Sequence, residues 1–362
     1  MKKILLILVI ALLRAGIAAN ESDCSADTSV VYFTSDISSE GLLKVYGMLG
    51  VADTEGVALK VHFGEDGNQN YIKPVIYEGI VKKTKGTFVE TNVLYVSRRK
   101  FTKTHIALAK EHGFGYAPID ILDSEGEMEV ENDNPKYFKS VKIGKGMDKY
   151  KKFVILSHFK GHGLAGFGGA IKNVSMGFAS PNGKKEMHQS FFPEYDPALC
   201  KDCGACVKNC PGKAITTDDE LYIDYSKCMG CGECISDCPA GAIKKPTKSE
   251  SQQMFLEKLV EYADAIEKKY DMVYVNILAN ISKGCDCSPF AGKPFMNDIG
   301  ILASTDIVAI EKASHDLVDK EHMCEDAFLK ENSVSGKKQI EFALDRKMGN
   351  VNYKIINIDS IE

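Results

Sequence analysis

The sequence predicts an α/β protein with a mixed, largely parallel sheet and covering helices, into which a small α+β module is inserted. Three observations lead there. β-rich runs alternate with helical stretches on both sides of residues 193–246. Two cysteine ladders repeat within those residues, and 362 residues exceed what one ordinary core uses. The expected units are a leader over 1–28, a first part of the α/β domain over 29–192, the cysteine-rich module over 193–246, and a second part of the α/β domain over 247–362.

In chain order, Lys2 and Lys3, an apolar run over 4–13, and the small residues Gly16, Ala18 and Ala19 have the layout of a secretory signal, with Arg14 interrupting it. The run is shorter than a membrane span. No twin-arginine pair precedes it, so export or anchoring and a cytoplasmic location both stay open. Membrane association is expected only if the segment is retained. Residues 30–34, 57–63, 87–93 and 153–158 read as strands because β-branched and aromatic residues dominate them, and 41–49 and 105–112 read as helices. The acidic stretch 123–133 reads as an exposed loop, and Arg98, Arg99 and Lys100 as a solvated face or an anion contact. Beyond the module, 251–270 has the pattern of an amphipathic helix, while 272–279 and 299–310 return to strand character. A net charge of -5, with 44% hydrophobic and 26% charged residues, describes an ordinary globular protein with no bias towards nucleic acid.

The ladders carry the most specific chemistry. Cys200, Cys203, Cys206 and Cys210 precede Pro211, and Cys228, Cys231, Cys234 and Cys238 precede Pro239. The run C-x2-C-x2-C-x3-C-P is the bacterial ferredoxin spacing, in which three close thiolates hold one 4Fe-4S cubane and the fourth reaches across to another. Cys200, Cys203, Cys206 and Cys238 are therefore expected on one cluster, and Cys228, Cys231, Cys234 and Cys210 on a second. The same offset carries Gly204 onto Gly232, and Ala214 and Ile215 onto Ala242 and Ile243, which marks an internal duplication. Structural zinc and disulfides compete with this reading, but zinc needs only paired C-x2-C knuckles and gives the prolines no role.

Just before the module, residues 156–179 read as a strand, a glycine-rich loop and a helical stretch. Gly161, Gly163 and Gly166 satisfy G-x-G-x-x-G, and glycines at such a junction let backbone amides, with Lys172 nearby, approach a phosphate or nucleotide-type cofactor. No acidic strand end follows in a second βα unit, which argues against a nicotinamide site. His162, Lys172 and His188 around this loop suggest a ligand or catalytic pocket; a hydrogen-bonded structural histidine and a solvated lysine are the plain alternatives. Cys285 and Cys287, one residue apart, cannot close an unstrained disulfide with each other but can face one metal or redox centre, against a turn with incidental thiols. His62 is placed like a site residue at a strand end, and Cys24 and Cys324 read as structural or unimportant.

From residue 30 to the C-terminus the chain resembles the domain of unknown function 362 family. The segments that carry this are KVHFGEDGN at 60–68, ETNVLYVSRRK at 90–100, GHGLAGFGGAIKN at 161–173 and DIGILASTDIVAI at 298–310. The resemblance implies the fold and iron-sulfur binding, and no reaction. Residues 162–188 are also similar to the nickel-pincer lactate racemase family, which implies Lys172 as anchor of a pincer cofactor, His188 as nickel ligand and His162 in proton transfer. The glycines before Lys172 stand one step out of that family's pattern.

These observations point first to an iron-sulfur electron-transfer protein whose two 4Fe-4S clusters exchange electrons with a pocket in the α/β domain. A redox partner protein or a small-molecule electron donor or acceptor is then required. Two other functions are carried alongside: a racemase-like isomerase with a metal or nucleotide-derived cofactor at Lys172 and His188, and a non-catalytic metal-binding or assembly factor.

Overall fold

β1 (Ser29–Thr34) brings β-branched and aromatic residues to a pleated surface, and α1 (Ser39–Gly47) follows once the Ser38 hydroxyl accepts the Gly41 amide at its first turn. The computed structural model describes residues 28–51, 56–189, 192–210, 212–218, 220–228, 230, 232–245 and 249–361. Residues 1–27 of the expected leader, with Cys24, and Cys231 lie outside the described residues. β2 (Val57–Lys60), α2 (Glu78–Thr84), β3 (Thr87–Glu90), α3 (Thr102–Glu111) and β4 (Ile119–Ile121) continue the alternation. A hairpin of β5 (Glu127–Glu131) and β6 (Ser140–Gly144) leads to β7 (Lys152–His158), a second hairpin of β8 (Lys160–His162) and β9 (Gly166–Gly168), then α4 (Ala170–Phe178) and α5 (Pro181–His188).

The cysteine-rich stretch contributes β10 (Glu194–Tyr195), α6 (Ala205–Asn209), β11 (Ile215–Thr216), β12 (Tyr222–Ile223), α7 (Glu233–Ser236) and β13 (Ile243–Lys244). The chain then forms α8 (Ser249–Glu267), β14 (Met272–Leu278), β15 (Gly300–Ser304), α9 (Ile307–His322), α10 (Ala327–Asn332), α11 (Lys337–Asp345) and β16 (Tyr353–Asn357).

The main sheet has eight strands in the order β16-β1-β15-β14-β7-β2-β3-β4. Only the two pairings of β15 are antiparallel, so the sheet is mixed and largely parallel, as predicted. Both faces are covered. Phe153 and Ile155 of β7 enter a core with Phe178 and Phe255, while Val154 and Leu156 enter the opposite core with Tyr77 and Phe88. Burial on both faces explains why these strands read as continuous apolar runs. From β2 the chain builds outward through β3 and β4, then returns to place β7 on the other side of β2. Such a reversal of strand order opens a crevice at the carboxyl ends of the two strands.

Three local expectations change. The run 299–310 is not one strand: β15 stops at Ser304, and the Asp306 carboxylate accepts the amides of Val308 and Ala309 to start α9. Residues 127–131, expected in a loop, pair with 140–144. Arg99, expected on a solvated face or at an anion contact, is not solvated: it is 2% exposed and its guanidinium is bonded to Glu90, with Glu65 at 3.6 Å. Among the described residues, no helix is long and apolar enough to cross a membrane.

The cysteine-rich stretch forms two small antiparallel pairs, β10 with β13 and β11 with β12, apart from the main sheet. Its halves repeat: Gly204 and Gly232, at φ of 67° and 78°, open α6 and α7 in a conformation that glycine adopts without strain. Ile215, Ile223 and Ile243 pack with Cys206 and Cys234 into a small core of its own.

Candidate functional site

Cys200, Cys203 and Cys206 of the first ladder and Cys238 of the second line one cavity, with Tyr195, Leu221 and Ile243 completing its wall. These are the four cysteines expected together from the spacing. Backbone amides point at the sulfurs: Ala214 donates to Cys210 Sγ at 3.3 Å, Ala242 to Cys238 Sγ at 3.2 Å, and Gly230 to Cys228 Sγ at 3.4 Å. Ala214 and Ala242 are equivalent positions in the duplication, so one amide–sulfur contact occurs twice. Burial works to raise the Cys238 thiol, but the amides of Ile243, Ala242, Ala240 and Gly241 outweigh it and hold the group below its usual range. Burial raises the Cys228 thiol, the Gly230 amide opposes that rise, and the neighbouring Cys210 adds to it, which sets the fourth cysteine of the first ladder beside the second.

A second group of side chains gathers at the crevice between β2 and β7. Lys60 ends β2 and His62 follows it; Glu90 ends β3; His158 ends β7, with Lys160 and His162 next; Cys285, Asp286 and Cys287 arrive after β14. The ligand atoms of His162, Cys285 and Cys287 all lie within 4.8 Å of one another, a group able to hold a metal ion. Lys172 Nζ is 3.9 Å from Cys285 Sγ. A side-chain hydrogen bond between Cys285 and Cys287, aided by Lys172 and Lys160 against burial, holds the Cys285 thiol well below its usual range; the same bond and burial, opposed by those lysines, hold Cys287 well above.

Asp286, between the two cysteines, meets His158 Nδ1 at 2.8 Å and Lys160 Nζ at 3.8 Å. Burial would raise its carboxyl, but His158 and Lys160 hold it below the carboxylate range. The other nitrogen of His158 faces the Ala279 carbonyl at 2.7 Å. His162 Nδ1 accepts the amides of Ala165 at 3.0 Å and Leu164 at 3.3 Å. Burial, then Lys172 and Lys160, keep the His162 ring neutral by lowering it well below the usual imidazole range.

The glycine-rich stretch folds differently from its expected form. Residues 160–168 make the β8–β9 hairpin rather than a loop running directly from strand to helix. A Cβ at Gly161 would collide with the Ser282 and Lys283 carbonyls, and one at Gly166, at φ 78°, with the Gly336 backbone. A Cβ at Gly163 would come only to 4.0 Å from Lys245 Nζ, at the end of the cysteine-rich stretch. The first amide of α4, at Ala170, donates to the Glu311 carboxylate, which burial raises to about 7. A carboxylate thus takes the helix end at which a phosphate was expected.

His188 stands outside the His162–Cys285–Cys287 group. Its ring lies 5.2 Å from that of Phe255, tilted by 34°, and its Nδ1 is buried without a partner among the described residues. Burial, aided by Lys172, lowers it to about 4, while a hydrogen bond to the Gly230 backbone opposes the shift and ties this ring to the second ladder. His62 accepts the Gly64 amide on Nδ1 at 3.0 Å, and Cys324 Sγ lies 3.1 Å from His322 Nδ1.

Several members of the crevice escaped sequence reasoning. Burial lowers Lys60 to about 7 and Lys184 to about 8. For Glu90, burial acts to raise the carboxyl but Arg99 overrides it, followed by His62 and His105. The readable signal is a charged residue ending an apolar strand, as at Lys60 after Leu59, Glu90 after Val89 and His158 after Ser157.

No curated protein matches the chain in sequence. Among solved structures it is similar to a Thermotoga maritima protein determined by structural genomics, at 10% identity and a TM-score of 0.35, over 85% of this chain and 58% of that one. The chain thus spans less than two thirds of that protein's length. It is also similar to the lactate racemase apoprotein from Thermoanaerobacterium thermosaccharolyticum, at 11% identity and a TM-score of 0.36, over 92% of this chain and 83% of that one. A family model described as a domain of unknown function (DUF362) matches residues 57–316, and the chain belongs to that family.

Proposed function

We propose that this is an iron-sulfur electron-transfer protein, in which residues 193–246 act as a two-cluster 4Fe-4S module inserted into the α/β domain and serve the crevice beside it. The observation that carries the reading is the convergence of Cys200, Cys203, Cys206 and Cys238 on one cavity, because only a crossed ligand set needs a cysteine from the other ladder there. The amides aimed at Cys210, Cys228 and Cys238 are the second support, since such contacts stabilise thiolate charge on a cluster. When bound, a cubane of this kind supplies single electrons and no site for a carbon substrate.

The chain's own residues make two faces for this role. Cys203 is exposed, which gives a redox partner protein or small electron carrier access to the first ligand set. On the inner side, His188 bonds the Gly230 backbone and lies near Lys172, placing the second ladder against the crevice. The test is paramagnetic resonance of the dithionite-reduced protein after anaerobic reconstitution. Two adjacent reduced clusters give a spin-coupled spectrum. Cys210→Ser should alter the cluster of Cys228, Cys231 and Cys234, and Cys238→Ser that of Cys200, Cys203 and Cys206. Damage confined to each substituted cysteine's own ladder contradicts the crossed assignment.

A further inference from the structure

We propose that Cys285, Cys287 and His162 bind one thiophilic divalent cation of the Zn2+ or Ni2+ class, as a mononuclear centre separate from the ladders, with a fourth position open to a small anion beside Lys172. The ligand atoms are already gathered within 4.8 Å, and sulfur and imidazole donors suit borderline-soft cations. Three protein ligands with one position open is the usual arrangement where a cation does chemistry rather than hold a fold together.

The turn that presents the two sulfurs is fixed from several sides. Tyr95 Oη donates to the Cys287 carbonyl at 2.9 Å, the Glu65 amide to the Asp286 carbonyl at 2.9 Å, and Asn68 Nδ2 to the Ser288 carbonyl at 2.7 Å. Asp286 is clamped by His158 and Lys160. A buried network of this kind holds ligand atoms in place before a cation arrives. Arg99, itself paired with Glu90 and Glu65, donates to Tyr95 Oη at 3.3 Å, so buried ion pairs back the same turn.

His162 adds a condition. Its Nδ1 accepts two amides, so in the metal-free protein Nε2 carries the ring proton. The Cys285 thiolate therefore anchors the cation first, Cys287 joins as it releases its proton to solvent, and His162 follows by turning its ring off the Leu164 and Ala165 amides to offer an unprotonated nitrogen. The charge count selects the remaining ligand. Two thiolates neutralise a divalent cation and Asp286 offsets Lys160, which leaves Lys172, 3.9 Å from Cys285 Sγ, without a carboxylate in ion-pair range among the described residues. The local excess is positive and fits an anion.

The experiment starts from anaerobically reconstituted full-length protein, equilibrated with Zn2+ and washed, then read by metal analysis and zinc-edge X-ray absorption, to which iron is invisible. The expected result is about one zinc per chain with two sulfurs near 2.3 Å and one nitrogen near 2.0–2.1 Å. Cys285→Ser with Cys287→Ser should lose the zinc and keep the iron, and His162→Ala should hold zinc more weakly with one nitrogen fewer. In bromide buffer the wild-type spectrum should gain a heavy scatterer that Lys172→Met lacks. Zinc uptake equal in the cysteine variant, four sulfurs around zinc as in a mis-loaded ladder, or a shell of oxygen and nitrogen alone overturns the site. A wild-type spectrum unmoved by bromide overturns the open anion position. Because iron reads the ladders and zinc reads the crevice, failure of this site and failure of the electron-transfer reading are separate outcomes.

Discussion

Lys60 Nζ donates to the Val61 carbonyl and to Asn173 Oδ1, each at 2.8 Å, both neutral partners. Burial lowers its ammonium from 10.5 to about 7. The unfolded chain therefore binds more protons than the native one between those values, and stability rises with pH across that window; below pH 7 both states are protonated and the penalty is constant. Lys60→Met removes this term. Wild-type stability relative to the variant should increase by an amount on the order of 4 kcal/mol between pH 6.5 and 10, measured by denaturant unfolding at each pH; a flat difference would contradict the buried-lysine account. Asp286 makes the opposite case. Asp286→Asn leaves Lys160 buried without its carboxylate and should cost about 3–5 kcal/mol in the same assay, since breaking a buried pair strands a charge.

At the scale of the element, the β8–β9 hairpin decides how the glycine-rich stretch behaves. Gly166 combines a positive φ of 78° with a backbone pressed against Gly336. Gly166→Ala should destabilise the protein by about 2–4 kcal/mol through strain and overlap together, read from thermal or denaturant unfolding, whereas Gly204→Ala, at φ 67° with open space around it, should cost only the conformational part. The glycines were legible in the sequence and their use was not. G-x-G-x-x-G describes a backbone that must pass close to something; here that something is Gly336 and the carbonyls of Ser282 and Lys283, which arrive from far along the chain. Glu311, which takes the head of α4, likewise comes from α9. The apolar run 299–310 misled for a local reason: the residues on either side of Asp306 are equally at home in a strand, and its capping of α9 shows only in the fold.

For the whole molecule, the difference in legibility follows from how each site is assembled. The parallel α/β sheet could be read because doubly covered strands carry apolar runs that need no partner to be recognised. The ladders could be read because their spacing is local and repeats, and the structure brings Cys238 to the cavity lined by Cys200, Cys203 and Cys206. The crevice is built from the ends of β2, β3 and β7 and the turn after β14, with α5 beside them, so Lys60, Glu90, Asp286 and Lys184 become neighbours only once the sheet has closed. His162, Cys285 and Cys287 were each noticed in the sequence, but their meeting, and the standing apart of His188, depend on the placement of β7 beside β14.

The central claim is that the eight ladder cysteines hold two cubanes. The most direct test is iron and acid-labile sulfide analysis of the full-length protein after anaerobic reconstitution and desalting, with zinc measured on the same sample. The account predicts about eight iron and eight sulfide per chain. Ladders that take up zinc without sulfide, or that saturate at half the iron, would contradict it.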